Sequence, residues 1–159
     1  MAEQDDLKKV VFDTSIVLQA TLSDLGPAFQ AIQLLDAGII AVFISPPVRT
    51  EYEDVLTRPS IRQKNPILTE ERARAMLKRL DEKAQEVTVL HRYVEFSRDP
   101  DDEPILNLAI HVRADYLVAH DKDILDLGID RDFRLLYPFL KIVNPVAFLE
   151  ELTVDLSGQ

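Results

Sequence analysis

An α/β fold, one domain with a mainly parallel central sheet flanked by helices, is predicted by three features of the sequence. Short apolar runs recur at Lys9–Phe12, Ile39–Ile44 and Tyr116–Val118, too continuous for half-exposed strands and too short for helices. Stretches with helical periodicity and capping residues separate them, so strands and helices alternate. The chain has 159 residues, 47% hydrophobic and 29% charged, without repeat or linker, which is the size and balance of one globular domain.

The elements follow in order. Lys9–Phe12 is a buried parallel strand that ends at Asp13, and the segment from Thr14 to Ala20 turns into a helix. A second helix runs from Pro27 to about Ala37, with Phe29, Ile32 and Leu35 on one face and Gly38 ending it. Ile39–Ile44 is the second strand. Ser45 then caps a helix with proline in its first turn, which continues through Val48, Tyr52, Val55 and Leu56 and stops near Arg58-Pro59. Thr69 caps a long polar helix from Glu70 to about Gln85, and Val87–Leu90 is a third strand. The loop Asp99-Pro100-Asp101-Asp102 feeds a helix from about Pro104 through Val112. Tyr116–Val118 is the fourth strand, Asp121 precedes a short helix, and a last strand near Lys141–Val143 leads through Pro145 into a closing helix. The expected domain is 8–153, with frayed ends at 1–7 and 154–159.

Composition excludes several chemistries. The absence of cysteine removes disulfides, thiol catalysis and Cys-ligated metals, and three histidines without a close helical pair argue against a His-based zinc enzyme. Four glycines make no Gly-rich loop, so a P-loop or dinucleotide site is excluded. Asp13-Thr14-Ser15 lacks the Asp-x-Asp of a haloacid-dehalogenase-type phosphatase, and the acids are wrongly arranged for a receiver domain. The net charge of −10 gives no global positive field for phosphate backbones, so nucleic acid would need a local basic strip or bound cations. With no apolar run near the roughly 20 residues of a membrane helix, and a polar start without signal-peptide character, a soluble cytoplasmic protein is expected.

The acids fall at element junctions. Asp13 directly follows the first strand, and Asp121 lies three residues after the fourth. Glu51 sits about one and a half turns into the helix after the second strand, and Asp102 begins the helix after the Asp99–Asp101 loop. Ligands of open parallel sheets gather outside the carboxyl ends of the strands, where these four carboxylates could meet. Left alone they would repel, and one or more would stay protonated. Hard divalent cations with oxygen ligands, Mg²⁺ or Mn²⁺, remove that penalty and suit phosphoryl chemistry. Set against this, acids at strand ends and in first helical turns are common as caps and dipole partners.

Four stretches, Val-Val-Phe-Asp13-Thr14-Ser15, Ser45-x5-Glu51-x3-Val55-Leu56, Arg98-Asp-Pro-Asp-Asp102-x6-Ala109 and Ala114-Asp-Tyr-Leu-Val-x2-Asp121-Lys-Asp123, resemble PIN-domain proteins in the right order over about residues 8–150. The branch they resemble is the VapC-like toxin component of bacterial toxin–antitoxin systems. The resemblance implies a flavodoxin-like three-layer sandwich and a metal-dependent endoribonuclease that hydrolyses RNA phosphodiester bonds. Carried over by motif, Asp13, Glu51, Asp102 and Asp121 are the catalytic and metal-binding acids, with Mg²⁺ or Mn²⁺ as cofactor. Two cations roughly 3.5–4 Å apart fit such chemistry. Ser15 fills a small polar position beside the first Asp and supports it. The family often has Thr two residues before the last Asp, where this chain has Ala119, and His120 stands at a commonly small position. An RNA substrate, a cognate antitoxin and a homodimer are the implied partners. The alternative is a catalytically silent PIN-like module that binds RNA or a partner protein.

Neighbouring residues divide by geometry. Asp99 and Asp101 are expected to shape the turn. Asp123 is expected to cap its helix, with a supporting role at a metal-bound water. Glu53 lies two residues from Glu51 and therefore faces away from it. Two basic clusters, Arg58, Arg62 and Lys64, and Arg72, Arg74, Lys78 and Arg79, are read first as a solvated face paired with Glu70, Glu71, Asp81 and Glu82. As a functional surface, Arg58, Arg62, Arg72 and Arg74 would guide RNA toward the acids.

Overall fold

The computed structural model describes residues 6–96 and 98–158. Strands β1 (Lys8–Phe12), β2 (Ile40–Ile44), β3 (Gln85–Glu86), β4 (Tyr116–Val118) and β5 (Lys141–Val143) form one parallel sheet in the order β3-β2-β1-β4-β5. Between them run α1 (Thr14–Leu22), α2 (Pro27–Asp36), α3 (Pro46–Leu56), α4 (Pro59–Lys64), α5 (Glu70–Lys83), α6 (Glu103–His111), α7 (Lys122–Leu127) and α8 (Arg131–Leu136), and α9 (Pro145–Ser157) closes the chain. Every residue of β2 and β4 is buried. Because strand side chains alternate between faces, helices must cover both sides of the sheet.

The strand order positions the site. The chain builds outward from β1 through β2 to β3, then returns to lay β4 and β5 on the other side. The third strand therefore sits at an outer edge, unlike the 2-1-3-4-5 order of flavodoxin, and the topological switch point lies between β1 and β4. Phe12 is in register with Val118, and the Asp13 N–H donates to the Val118 carbonyl at 2.9 Å. The two central strands thus end level, and the residues that follow them leave the sheet together.

Local chemistry explains most element ends. Gly38 adopts φ +71° after α2, where the Gly38 N–H bonds the Leu35 carbonyl and the Ile39 N–H the Leu34 carbonyl, a Schellman ending. Thr69 accepts from the Arg72 N–H at 3.1 Å to start α5, and Asn144 accepts from the Ala147 N–H at 2.8 Å to start α9. Ser45 holds the N-cap position of α3 through its extended backbone, but its buried hydroxyl makes no cap bond. Proline at the first helical position lessens the need for one, since it removes one orphan donor.

Three expectations need correction. The third strand is Gln85–Glu86, not Val87–Leu90, because β2 ends at Ile44 and the Val87 N–H to the Ile44 carbonyl is the last ladder bond. Single-turn helices α4 and α8 were not foreseen, being too short for an apolar period. Helix α9 runs to Ser157, so 154–157 continue it rather than fray, whereas residues 1–5 and 159 of the expected frayed ends lie outside the described residues.

Two further features matter below. Residues 87–96 and 98–99 have no regular structure, and the first stretch is fastened to α6 by side chains. Asn107 Oδ1 accepts from the N–H groups of Tyr93 and Val94 at 2.7 and 2.9 Å, Arg92 pairs with Glu103, and Phe96 is buried. At the other edge, Lys141 and Val143 bond toward β4, which turns the backbone groups of Ile142 outward. Gly128 lies against that edge, where a Cβ would come within 2.9 Å of the Ile142 carbonyl oxygen.

Candidate metal centre

Asp13 begins the site because β1 delivers it to the switch point. It is 8% exposed, and its Oδ2 accepts from the Ser15 hydroxyl at 2.9 Å. Burial pushes its carboxyl above the ordinary range. Hydrogen bonds from the Ser15 hydroxyl and the Thr14 and Ser15 backbone oppose the rise, and the nearby Asp121 charge adds to it. Behind it the buried Tyr52 hydroxyl donates to the Phe12 carbonyl. That bond joins α3 to the end of β1 through residues adjacent to Glu51 and Asp13, so it sets the two acids beside each other.

Glu51 is half-buried on α3. Burial raises its pKa first and the Asp13 charge second, while the Thr14 side chain lowers it, and Asp101 and Asp99 raise it further. Glu53 points elsewhere as expected, paired with Arg49 at 2.8 Å.

The other acids come from two segments. Asp99 caps and Asp102 ends a 3-10 turn, Pro100–Asp102, and residues three apart on such a turn eclipse one another. Asp99 Oδ1 accepts from the Asp101 N–H at 3.0 Å, the turn-shaping role expected of it. Its carboxylate also joins the site. One oxygen from each of Asp99, Asp102 and Asp121 lies within 4.8 Å of the others. Asp121 Oδ1 caps α7 by accepting from the Asp123 N–H at 2.8 Å. Asp102 Oδ2 is buried without a hydrogen-bond partner. Burial, then the charges of Asp99, Asp13, Asp121 and Glu51, push the Asp102 carboxyl up to about 7. The four sequence-predicted acids are thus electrostatically coupled, and Asp99 is a fifth that the sequence reading placed in the turn alone. The three-residue spacing across Pro100 was the signal for it. Thr14, beside both Asp13 and Glu51, was also missed.

None of these five acids forms an ion pair among the described residues, whereas Glu53, Asp81, Asp24, Glu70, Asp36, Glu103, Asp123 and Asp126 all do. Donors of carboxylate oxygen alone, with one oxygen buried and unpartnered, fit a hard divalent cation. Bonds of about 2.1 Å place oxygens around such an ion roughly 3–4 Å apart, so a small inward movement from the observed spacing is sufficient.

Other expected residues lie differently. Ser15 is at the site and is spent on Asp13. Asp123 does not cap α7, because Asp121 does, and its carboxylate is held by Arg98 instead. Arg72 is turned onto α1, bonding the Thr21 carbonyl and Asp24 at 2.9 Å each, and Arg74 pairs with Glu70 at 2.6 Å. Arg62 donates to the Leu56 carbonyl at 3.2 Å, and Arg58 occupies the exposed N-cap of α4. The paired-surface reading of α5 therefore holds for Arg74 and Lys78, the latter facing Glu82.

No helix among the described residues is long and apolar enough to cross a membrane. No curated protein matches the chain. A family model described as PIN domain matches residues 9–123, which spans the first strand through the last of the four acids. The match covers most of the sequence and contains Asp13, Glu51, Asp99, Asp102 and Asp121, and on that ground the chain belongs to the PIN-domain family.

Proposed function

We propose that this chain is a Mg²⁺- or Mn²⁺-dependent endoribonuclease and the toxin of a toxin–antitoxin pair acting in the cytoplasm. The observation that supports the nuclease reading is the acidic cluster: Asp99, Asp102 and Asp121 lie together, Asp13 and Glu51 are coupled to them by charge, and none of the five is ion-paired among the described residues. Family membership supports metal-dependent nuclease chemistry. The toxin role, an RNA substrate, a cognate antitoxin and a homodimer rest on the resemblance of the four motifs to VapC-like chains.

The residues divide the work by their surroundings. Asp13 is the fixed anchor, because Ser15 and two backbone N–H groups hold it and burial immobilises it. The Asp102 carboxyl, pushed up to about 7, is partly protonated at neutral pH and would have to lose that proton to hold a cation. Asp121 is aligned by its cap bond to α7, and Glu51 adds a partly exposed carboxylate beside Asp13. A divalent cation held by these carboxylates would supply Lewis acidity for water activation and charge neutralisation at a phosphodiester. An RNA path past Arg72 and Arg74 would compete with their pairs to Asp24 and Glu70.

A panel of RNAs incubated with Mg²⁺, Mn²⁺ or EDTA tests the reading. Cleavage should need the metal and disappear in Asp13→Asn. RNA binding without cleavage under every metal condition would make the chain a silent binding module instead.

A further inference from the structure

The acidic cluster poses a mechanical problem. Asp99 and Asp102 belong to the 3-10 turn before α6, whereas Asp121 caps the start of α7. Like charges at this range push the two segments apart. The anchors of residues 87–96 at Asn107 and Glu103 fasten that stretch to α6, upstream of Asp99. They do not hold the turn to α7.

Arg98 does. Its guanidinium bonds Asp123, and reaches Asp126 at 3.2 Å. Both bonds come from Nη2, and the two carboxylates stand three residues apart on one face of α7. Among the described residues this is the sole hydrogen-bonded or ionic link between 98–102 and 120–127. It is placed where tension falls: Arg98 directly precedes Asp99, and Asp123 supplies the N–H that Asp121 caps.

We propose that Arg98 is a positioning residue for the metal centre. It latches the turn carrying Asp99 and Asp102 to the helix that Asp121 caps, and so holds carboxylates of two segments at a spacing a divalent cation can bridge. The inference rests on the metal-dependent reading above. It gives the Asp123 carboxylate a supporting role through Arg98, in addition to the N–H that Asp123 donates to Asp121.

Charge alone and positioning predict opposite signs. Arg98 is a cation near a cation site, so its removal on Coulomb grounds should strengthen metal binding. Loss of the latch should weaken it. The experiment is Mn²⁺ titration of the full chain by calorimetry, with thermal scans in EDTA, for wild type, Arg98→Ala, Arg98→Lys, Asp126→Asn and the Arg98→Ala/Asp126→Asn double variant. Arg98→Ala should lower Mn²⁺ affinity roughly tenfold, as loss of outer supports of metal sites does. Arg98→Lys should recover part of the loss. Asp126→Asn should weaken binding less than Arg98→Ala, and the double variant should be no worse than Arg98→Ala, because both act through one link. Unchanged or tighter Mn²⁺ binding in Arg98→Ala overturns the latch, as does additivity in the double variant. Failure of the wild type itself to bind Mn²⁺ would refute the metal-centre reading, and the latch with it, which separates the two failures.

Discussion

Replacing Asp102 with Asn should stabilise the metal-free protein above neutral pH. The folded state raises this carboxyl from 3.8 to about 7, with burial as the largest cause and four neighbouring acids behind it. A folded pKa above the unfolded one means that the native state binds the proton more tightly. The carboxyl therefore costs nothing below about pH 4, and destabilises increasingly as pH rises through about 7. Taken whole, the difference corresponds to about 4 kcal/mol at 1.36 kcal/mol per pH unit. The group is partly exposed, and solvent screening reduces this to about 1–2 kcal/mol. Asn stays neutral throughout, so it adds no charge opposite Asp99, Asp13, Asp121 and Glu51. Thermal unfolding in EDTA at about pH 8 should show Asp102→Asn melting about 3–6 °C above wild type, for a chain of this size. At about pH 5 the wild-type carboxyl is already protonated, so most of the gap should close. Saturating Mn²⁺ should reverse the order, because metal that binds the native state stabilises wild type and has lost a ligand in the variant. A variant less stable than wild type in EDTA at the higher pH, or a gap that ignores pH, would refute the argument.

Other expectations follow from the same geometry. Mn²⁺ must displace the Asp102 proton, so its affinity should fall by up to about tenfold per pH unit below about 7, and calorimetry in buffers of different ionisation enthalpy should detect the released proton; a pH-independent affinity would contradict this. Tyr52→Phe removes the buried bond to the Phe12 carbonyl and should cost about 1 kcal/mol in chemical denaturation. Because that bond sets Glu51 beside Asp13, metal affinity should also drop. Gly38→Ala forces a side chain into φ +71° with open space around it, so its cost of about 1 kcal/mol should be conformational and leave metal binding unchanged.

The approach of the four acids to one another was legible because a parallel sheet sends its strand ends to one crevice, with Asp13 directly after β1 and Asp121 three residues after β4. Asp99 was harder. Its role in the turn is local and visible in Asp-Pro-Asp-Asp, but membership in the cluster depends on the tightness of the 3-10 turn, which brings residues three apart onto one side. The basic residues were least legible. Arg72 with Asp24, and Arg79 and Lys83 with Asp36, join positions far apart in sequence, and no local pattern announces such partners. The third strand slipped for a related reason: Val87–Leu90 looks more strand-like than Gln85–Glu86, yet the end of β2 decides which residues find a partner.

The ends of the sheet limit how copies of this protein can meet. One outer strand, β3, offers two residues, and the other, β5, has α7 drawn against it through Gly128. Neither presents a long open row of backbone donors and acceptors, the feature by which sheets recruit foreign strands. Self-association that continues the sheet from molecule to molecule is therefore disfavoured, and any dimer must be built from helix surfaces and side chains. Gly128 is the weak point of that protection. A larger residue there would lift α7 from the strand and uncover the outward-facing groups of Ile142, turning a well-behaved chain into one with an adhesive edge.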